Sequence, residues 1–271
     1  MTPTQAWVVR EFGQPLELRN LDVPVPEKDQ VLIRVTATGL NFADLLMTDG
    51  KYQETPPPPF SPGMEVAGVI EAIGEQADGL AVGERVAAVP MSGGLSSHVA
   101  QPAGQVRSIP DTMDDATAAG FQIAYGTSHL ALTRRARLRP GETLVVLGAA
   151  GGVGLTAVEV GKKLGARVVA VARGQDKLEI ARAAGASLLI DSCEGSVLDL
   201  LRDIGRIDVV YDAVGGAAGE AALRAMAPEG RFLVIGFASG SLPAIKPNHL
   251  LVKNQDVLGF YWGGYRAFHP D

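Results

Sequence analysis

Several features that would point to secretion, a membrane or nucleic acid are scarce in the sequence. Cysteine occurs once, at position 193, which excludes an internal disulfide and a multi-thiolate zinc site, so we expect a reducing compartment. No apolar run approaches the ~20 residues that span a bilayer, and the N-terminus lacks the pattern of a signal peptide. Lys and Arg number 24 against 30 Asp and Glu, so the net charge of −6 offers no basic surface. We expect a cytoplasmic protein that binds small molecules, with no nucleic acid and no membrane among its partners.

Apolar residues, by contrast, are plentiful enough for a large core. They make up 46% of a chain whose 271 residues suit two domains better than one. In the first part of the chain, short β-rich runs such as 31–40 alternate with proline and glycine at turn positions, and Pro56–Pro59 predict an extended loop. Later, apolar strands alternate with amphipathic helices. We therefore predict a mostly β domain over 1–121 and an α/β domain over 122–271.

The second half predicts six strands with helices between the first five. The strands are placed at 143–148, 167–172, 188–191, 208–212, 231–235 and 257–261, and the helices at 153–164, 176–184, 196–204 and 220–226. The strands are nearly continuous apolar runs, which is typical of a parallel sheet buried on both faces. Six such strands predict the doubly wound Rossmann architecture, which binds nucleotides at the carboxyl ends of its strands.

A glycine-rich turn follows the first of these strands. Ala149, Gly151 and Gly154 have the spacing A-x-G-x-x-G, one residue away from the dinucleotide fingerprint. Glycine at the second position lets the backbone approach a pyrophosphate, and at the third it lets the helix pack close to the strand. The alternative is a glycine-rich turn of some other α/β unit, but the strand before it and the helix after it favour a dinucleotide. The predicted phosphate-binding residues are Ala150, Gly151, Gly152, Val153 and Gly154.

The end of the second strand predicts which dinucleotide is bound. Enzymes that use NAD usually place an acid there to hold the ribose 2′-hydroxyl, whereas this chain has Ala172 and Arg173, followed by Lys177. A small residue leaves room for a 2′-phosphate, and two cations neutralise its charge, so we predict NADP(H). Both cations could instead be solvated surface charges. Asp191, at the end of the third strand, could still contact the adenine ribose, which leaves NAD open.

Five segments together resemble a known family over nearly the whole chain. They are GLNFADLLMTDGKY (39–52), PFSPGMEVAGVIEAIG (59–74), FQIAYGTSHLAL (121–132), GAAGGVG (148–154) and VLGFYWGGY (257–265). The sequence resembles the zinc-free quinone oxidoreductase branch of the medium-chain dehydrogenase/reductase superfamily, of the NADPH:quinone reductase and zeta-crystallin type. This resemblance implies an N-terminal GroES-like β domain, a Rossmann domain, an active site in the cleft between them and a homodimer paired through the sixth-strand edge.

We expect the chain to lack two features found among its relatives, a zinc site and a C-terminal return segment. Zinc-dependent relatives carry Gly-Cys-x-x-x-Asp and Gly-His-Glu ligand motifs, but here Asn41 replaces the cysteine and Met64 the histidine. A carboxamide and a thioether are poor zinc ligands, so we expect no metal. Family members also normally continue for several dozen residues past the sixth strand. Because this sequence stops at Asp271, we expect the C-terminal return segment that completes the β domain to be absent.

The expected chemistry is hydride transfer from NADPH to a quinone or a similar conjugated carbonyl. Conjugation spreads the charge that hydride delivery creates, so such an acceptor needs no metal ion. The candidate catalytic residues are Asn41, Asp44 and Tyr52, which could orient the cofactor, stabilise an oxyanion or relay a proton. Each has a structural alternative: Asn41 could cap a helix at 42–47, Asp44 could anchor the same turn, and Tyr52 could pack at the rim of a loop.

Further cofactor contacts are expected at the ends of later strands and on one helix. Turns after the fourth and fifth strands lie where open α/β sheets bind their ligands. The resemblance implies that Thr127 lies against the nicotinamide and that two aromatic residues of the sixth strand lie near its end of the cofactor. The candidates are Thr127, Val214, Gly215, Gly236, Phe237, Phe260 and Trp262.

Two other functions remain open at this stage. One is an enoyl or enoyl-thioester reductase that uses the same hydride step. The other is non-catalytic: an NADPH-binding protein, or a truncated relative that acts as a partner subunit.

Overall fold

A computed structural model describes residues 3–269 of the chain. Contacts group the chain into two compact units, one ending at Ile123 and the other beginning at Ala124. The boundary predicted from the sequence followed residue 121. Within the described residues, no helix has the length and hydropathy that a membrane span requires.

The first unit is built on antiparallel strands. Its elements are β1 (Thr4–Val8), β2 (Glu17–Leu21), β3 (Gln30–Gly39), α1 (Phe42–Thr48), β4 (Glu65–Ile73), β5 (Arg85–Ala88), β6 (His98–Pro102), β7 (Val106–Ser108) and α2 (Asp115–Ala119). Strands β1 and β2 form a two-stranded sheet, and the others form a five-stranded sheet in the order β6-β3-β4-β5-β7. Val31 and Ile33 of β3 pack with Val66 and Ile70 of β4 in its core. Their even spacing along each strand puts these side chains on one face.

The second unit alternates strands and helices after a helical start. Helix α3 (Gln122–Leu130) crosses the boundary between the units, and the later elements are β8 (Thr143–Leu147), α4 (Gly152–Lys163), β9 (Arg167–Ala172), α5 (Gln175–Ala183), β10 (Leu188–Asp191), α6 (Val197–Asp203), β11 (Val209–Asp212), α7 (Gly216–Ala225), β12 (Arg231–Val234), α8 (Pro247–Lys253), β13 (Asp256–Gly259) and α9 (Trp262–Phe268). The strands form a parallel sheet in the order β10-β9-β8-β11-β12-β13. This is the 3-2-1-4-5-6 order of a Rossmann fold, so the predicted architecture is confirmed.

Both faces of the parallel sheet are covered. Leu144 and Val146 of β8 belong to one buried cluster, and Val145 and Leu147 belong to another. Because successive side chains of a strand point to opposite faces, the two clusters lie on either side of the sheet. This double burial is the physical reason for the continuous apolar runs in the sequence.

The end of the chain differs from the sequence prediction. The sixth strand ends at Gly259, and helix α9 begins at Trp262, so the prediction that Phe260 and Trp262 lie in that strand is wrong. Phe260 is buried in one core cluster, and Trp262 packs against the same cluster. A continuous apolar run predicted one strand because periodicity alone does not mark where a short apolar strand ends and a helix begins.

Helix α7 begins four positions earlier than predicted, at Gly216 rather than 220. Its first turn contains Gly219, where an added Cβ would lie 2.3 Å from Oδ2 of Asp212. Glycine is unfavourable inside a helix, so its presence argued against one. The close approach of α7 to the end of β11 explains why glycine stands there.

Candidate functional site

The carboxyl ends of three neighbouring strands meet in the second unit. A Cβ on Gly148, after β8, would lie 3.0 Å from the Val214 side chain, after β11. A Cβ on Gly215 would lie 3.0 Å from the ring of Phe237, after β12. Gly236 also comes close to the β11 turn, since its Cβ would lie 3.5 Å from the Ala213 oxygen. The structure therefore brings the predicted residues Val214, Gly215, Gly236 and Phe237 to the edge where the glycine-rich turn lies.

The glycine-rich turn is shaped by two glycines that cannot be replaced without a clash or strain. Gly148 has φ +71°, in the region that favours glycine, whereas Ala149 is fully buried. A Cβ on Gly154 would lie 2.1 Å from the oxygen of Gly148, so only glycine lets α4 pack this close to β8. The turn glycine is thus Gly148, which the sequence analysis did not single out although it opens the GAAGGVG run.

The start of α4 is open to solvent. Gly151 caps the helix, Gly151 and Gly152 are both exposed, and a Cβ on Gly152 would meet no atom within 4 Å. The first amides of an α-helix have no acceptor inside the helix, and its dipole favours an anion at this end. Ala150 and Val153 flank these glycines and are half-buried. Bare backbone, open space and a 12-residue helix fit the pyrophosphate of a dinucleotide.

A buried hydroxyl network lies behind this turn. Ser128 Oγ donates to the carbonyl of Val153 at 2.9 Å and lies 2.7 Å from Thr156 Oγ1 and 3.1 Å from Tyr211 Oη. Thr156 Oγ1 also donates to the carbonyl of Ala124 at 3.0 Å. Tyr211 is fully buried, and burial raises the pKa of its phenol. The network joins α3, α4 and β11, and no sequence motif pointed to it.

Thr127 is the neighbour of this network in sequence. Its side chain is buried on α3, within the second unit. The predicted contact of Thr127 with a nicotinamide stays a prediction.

The end of β9 forms a second turn. Ala172 is buried, Arg173 and Lys177 are exposed, and Gly174 caps α5 with φ +82°. Among residues 3–269, neither cation takes part in an ion pair. The small residue and the two available cations that the sequence predicted for a 2′-phosphate therefore occur at one turn.

Asp191 is engaged with this turn. Its Oδ1 accepts hydrogen bonds from the amides of Cys193 at 2.9 Å and Gly174 at 3.1 Å, and Oδ2 lies 3.2 Å from the Gly174 amide. These bonds hold the pKa of the Asp191 carboxyl below its usual value. The carboxylate that sequence analysis left as a possible ribose ligand is bound to backbone.

Asp212 shapes the turn after β11. It is buried, and its Oδ1 accepts hydrogen bonds at 2.8 Å from the amides of both Val214 and Gly215. Burial raises its pKa, and the two amide bonds oppose that rise. Asp212 thereby sets the backbone of two predicted cofactor residues.

In the first unit, Asn41 and Asp44 hold the start of α1. Asn41 is the N-cap, and its backbone N–H donates to Asp44 Oδ2 at 2.8 Å. Asp44 Oδ1 accepts from the amide of Gly63 at 3.0 Å. Burial raises the pKa of Asp44, and its backbone hydrogen bonds with Asn41, Gly63 and Met64 oppose the rise. In this structure Asn41 caps α1 and Asp44 anchors the same turn, which is the structural alternative to a catalytic role.

Glu65 completes this cluster and was not predicted as a site residue. Its Oε1 accepts from Asn41 Nδ2 at 2.9 Å, and its Oε2 accepts from the amide of Ile123 at 3.0 Å. Burial raises the pKa of Glu65, and the charge of Asp44 raises it further. The Gly-Met-Glu motif contained the signal, but the comparison with zinc ligands drew attention to Met64 alone.

This cluster bears on metal binding through its donor groups. The described residues contain no group of three or more His, Cys, Asp or Glu side chains suited to a metal. Asn41 turns its NH₂ group, a hydrogen-bond donor, toward Glu65 Oε1, and Met64 beside it is a buried thioether. Amide nitrogen and thioether sulfur are poor donors for zinc.

Three aromatic residues predicted for the site are Tyr52, in the first unit, and Phe260 and Trp262, in the second. Tyr52 is half-buried between α1 and the proline segment, and its carbonyl accepts from the Thr55 hydroxyl at 2.7 Å. Trp262 packs so close to α3 that a Cβ on Gly126 would lie 2.5 Å from the indole nitrogen. The ring of Phe260 lies 5.5 Å from that of Tyr265. The catalytic role of Tyr52 and the cofactor contacts of Phe260 and Trp262 stay predictions.

Comparison with known proteins follows the division of the chain. The family described as "Alcohol dehydrogenase GroES-like domain" matches residues 27–128, and that described as "Zinc-binding dehydrogenase" matches residues 152–270. The quinone oxidoreductase-like protein 2 homolog of Nematostella vectensis is 35% identical, over 98% of this chain and 74% of its own length. The chain belongs to the quinone oxidoreductase branch of the medium-chain dehydrogenase/reductase superfamily. Both the predicted family and the predicted GroES-like β domain are confirmed.

Solved structures match this medium-chain reductase over almost its whole length. The quinone oxidoreductase of Thermus thermophilus, solved also in complex with NADPH, is 37% identical with a TM-score of 0.85, covering 98% of this chain and 83% of that chain. CurK enoyl reductase is 26% identical with a TM-score of 0.86, covering 99% of this chain and 84% of that chain. The neighbours thus include reductases of two substrate classes.

Proposed function

We propose that this medium-chain reductase transfers hydride from NADPH to a quinone or a similar conjugated carbonyl, without zinc. The observation that carries the proposal is the pair of turns at the ends of β8 and β9: one presents bare backbone at a helix N-terminus, and the other presents two exposed cations. The NADPH complex of a relative that is 37% identical supports the choice of cofactor. The single cysteine supports work in a reducing compartment.

NADP(H) is favoured over NAD by the residues at the β9 turn. The strand ends in Ala172, and the carboxylate of Asp191 on the next strand is hydrogen-bonded to the amides of Gly174 and Cys193. The amide hydrogen bonds occupy part of the acceptor capacity that a ribose 2′-hydroxyl would need. Arg173 and Lys177 supply the positive charge that a 2′-phosphate needs.

When bound, the nicotinamide supplies a hydride, which the protein itself cannot provide. The residues of the chain bind the coenzyme and orient it. Amides at the start of α4 would hold the pyrophosphate, and the turn after β11, fixed by Asp212, would line the same strand edge. In this proposal Ala150, Gly151, Gly152, Val153 and Gly154 contact the phosphates, and Val214, Gly215, Gly236 and Phe237 form the neighbouring wall.

Zinc independence is proposed from the chemistry of Asn41 and Met64. The side-chain NH₂ of Asn41 donates to Glu65, so it stabilises a carboxylate instead of binding a cation. We expect dialysis against a strong chelator to leave NADPH oxidation unchanged. Loss of turnover that returns stoichiometrically with added zinc would contradict this part of the proposal.

The test of function is NADPH consumption, followed by absorbance, with a panel of quinones, enones and acyl thioesters. We expect the highest kcat/KM with a quinone. Lys177→Ala should raise the KM for NADPH, whereas Lys163→Ala, which removes an equally exposed lysine at the far end of α4, should not. Absence of turnover with every acceptor, despite NADPH binding, would favour a non-catalytic protein.

An enoyl or enoyl-thioester reductase is the second candidate. Its support is the TM-score of 0.86 with CurK enoyl reductase, at 26% identity. Saturated product from an enoyl thioester, formed with a higher kcat/KM than any quinone reduction, would replace the first proposal with this one.

We also propose that two copies pair through β13. This strand lies at one edge of the six-stranded sheet, and an unpaired edge is prone to association. Light scattering should give twice the mass of the chain. The amides of Asp256 and Phe260 donate hydrogen bonds on the β12 side, so by the alternation of a strand the amide of Gly259 lies on the outer side. Replacing Gly259 with proline, which removes this outer donor, should give monomers, and a monomeric parent would contradict the pairing.

A further inference from the structure

Asp191 ties the end of β10 to the turn that follows β9. Oxygen Oδ1 accepts from the amides of Cys193 at 2.9 Å and Gly174 at 3.1 Å. The backbone joins the same two segments, because the Ser192 amide donates to the carbonyl of Ala172 at 2.9 Å. The Ser192 hydroxyl also donates to the Ala172 carbonyl, at 3.3 Å. The β9 turn is therefore held by the side chains of Asp191 and Ser192 and by one main-chain bond.

The residue held in this way determines the geometry of the turn. Gly174 is the N-cap of α5 and has φ +82°. Because an N-cap amide has no acceptor inside the helix, the amide of Gly174 is fixed from outside. Arg173 precedes it and Lys177 lies in the first turn of α5, so the direction in which the chain leaves β9 decides where both cations point. Both side chains are exposed and depend on the backbone for their position.

A carboxylate beside two cations has two opposite effects on an anionic ligand. Its charge would repel a 2′-phosphate, but its hydrogen bonds organise the groups that attract one. The amide bonds engage Oδ1 twice and Oδ2 once, so the carboxylate is directed at the backbone. The geometry therefore favours the organising effect.

We propose that Asp191 is a positioning residue for coenzyme selection: by fixing the amide of Gly174, it sets the turn that presents Arg173 and Lys177 to the 2′-phosphate of NADPH. The inference rests on the proposed function, because it concerns the same coenzyme. It assigns to an acid at the end of the third strand a role in favouring the phosphorylated coenzyme.

Three variants separate geometry from charge. Asp191→Ala removes the charge and the acceptor, and Asp191→Asn removes the charge but keeps an oxygen in the place of Oδ1, which accepts both amides. Glu194→Ala is the matched control, because it removes an exposed carboxylate from the same loop. Dissociation constants for NADPH and NADH are measured by calorimetry, together with the unfolding temperature of each variant.

We expect Asp191→Ala to reduce the ratio of NADPH affinity to NADH affinity by about tenfold, since hydrogen bonds to charged groups carry energies of this order. Asp191→Asn and Glu194→Ala should keep the ratio within about twofold of the parent. If Asp191→Ala does not fold, Asp191→Ser replaces it: its hydroxyl can retain the local bond to the Cys193 amide while losing the reach to Gly174.

Equal weakening of both coenzymes by Asp191→Ala would reduce Asp191 to a general structural role and overturn the inference. So would tighter NADPH binding by both Asp191→Ala and Asp191→Asn, because charge alone would then explain the result. A parent that binds neither coenzyme would instead refute the proposed function, which distinguishes the two failures.

Discussion

Single residues decide whether the glycine-rich turn can form and whether it can bind a pyrophosphate. Gly154 and Gly152 are two positions apart on α4, yet their surroundings are opposite. A Cβ on the first would lie 2.1 Å from the Gly148 oxygen, whereas a Cβ on the second would meet nothing within 4 Å. One glycine serves packing, and the other leaves space at the helix N-terminus.

Gly154→Ala should lower the free energy of unfolding by about 1–3 kcal/mol, because the strand and helix must move apart. Gly152→Ala should change it by less than about 1 kcal/mol, in the stabilising direction, because alanine favours the helix. Urea unfolding measures both, and calorimetry should show weaker NADPH binding for Gly152→Ala despite its stability. Equal destabilisation by the two substitutions would contradict this division of roles.

Burial of Glu65 predicts a dependence of stability on pH. Its pKa is raised above the usual 4.5, so the folded state binds the proton more tightly than the unfolded state, and this contribution to stability is lost as pH rises from 4.5 through the folded pKa. Glu65→Gln does not titrate. Its unfolding free energy relative to the parent should therefore rise across that pH range, as measured by urea titrations at several pH values.

Glu75→Gln provides the control for this experiment. It makes the same chemical change at an exposed carboxylate of the same unit and is measured at the same pH values. A free-energy gap between Glu65→Gln and the parent that does not change with pH would contradict the raised pKa of Glu65.

Two residues mark the limit of what the sequence predicted at this scale. The GAAGGVG run predicted a phosphate-binding turn, but only the dihedral angles identified Gly148 as the residue with positive φ. Asp191 was recognised as an acid at a strand end, yet its bond to Gly174 depends on the pairing of β10 with β9. Local patterns do not report hydrogen bonds between segments that are distant in sequence.

At the scale of elements, α4 is held from behind by hydroxyl groups. Ser128 on α3 bonds the first turn of α4 at the Val153 carbonyl and lies close to the hydroxyls of Thr156 and Tyr211. A helix start that must present its amides to a ligand needs such support, because the ligand side offers none in the free protein. The network fixes where those amides point.

Tyr211→Phe should lower the free energy of unfolding by about 1 kcal/mol, the net value of a typical hydrogen bond, and Ser128→Ala should lower it by about 1–3 kcal/mol, because partners are left buried without a bond. The two losses should not add in the double variant, since the hydroxyls lie 3.1 Å apart. Additive losses in chemical denaturation would contradict a shared network.

Elements of the parallel sheet were predictable because burial on both faces leaves a continuous apolar run. The bounds of β9 and β10 agree with the sequence prediction, and that of β8 differs by one residue. Helix α9 was not predicted from the sequence: Gly263 and Gly264 are unfavourable inside a helix, and the preceding apolar run fits a longer strand. Helix α7 begins earlier than predicted for a related reason. Its first turn contains Gly216 and Gly219, which are unfavourable inside a helix but allow close contacts with neighbouring segments.

At the scale of the whole molecule, we assign coenzyme binding to the second unit. The two turns on which the proposed NADPH binding depends lie in the described part of the Rossmann sheet, at the carboxyl ends of β8 and β9. Family membership rests on 35% identity over 98% of the chain, but the preference for the phosphorylated coenzyme rests on this chain's own residues, Ala172, Arg173 and Lys177. Coenzyme preference is therefore the property that tests the account.

Calorimetry of the folded protein with NADPH and with NADH is the most direct measurement. We expect NADPH to bind at least about tenfold more tightly than NADH, which corresponds to ~1.4 kcal/mol for the contacts of the 2′-phosphate. Lys177→Ala should reduce this difference in affinity, whereas Lys163→Ala should not. No heat of binding from either coenzyme, or equal affinity for the two, would contradict this expectation.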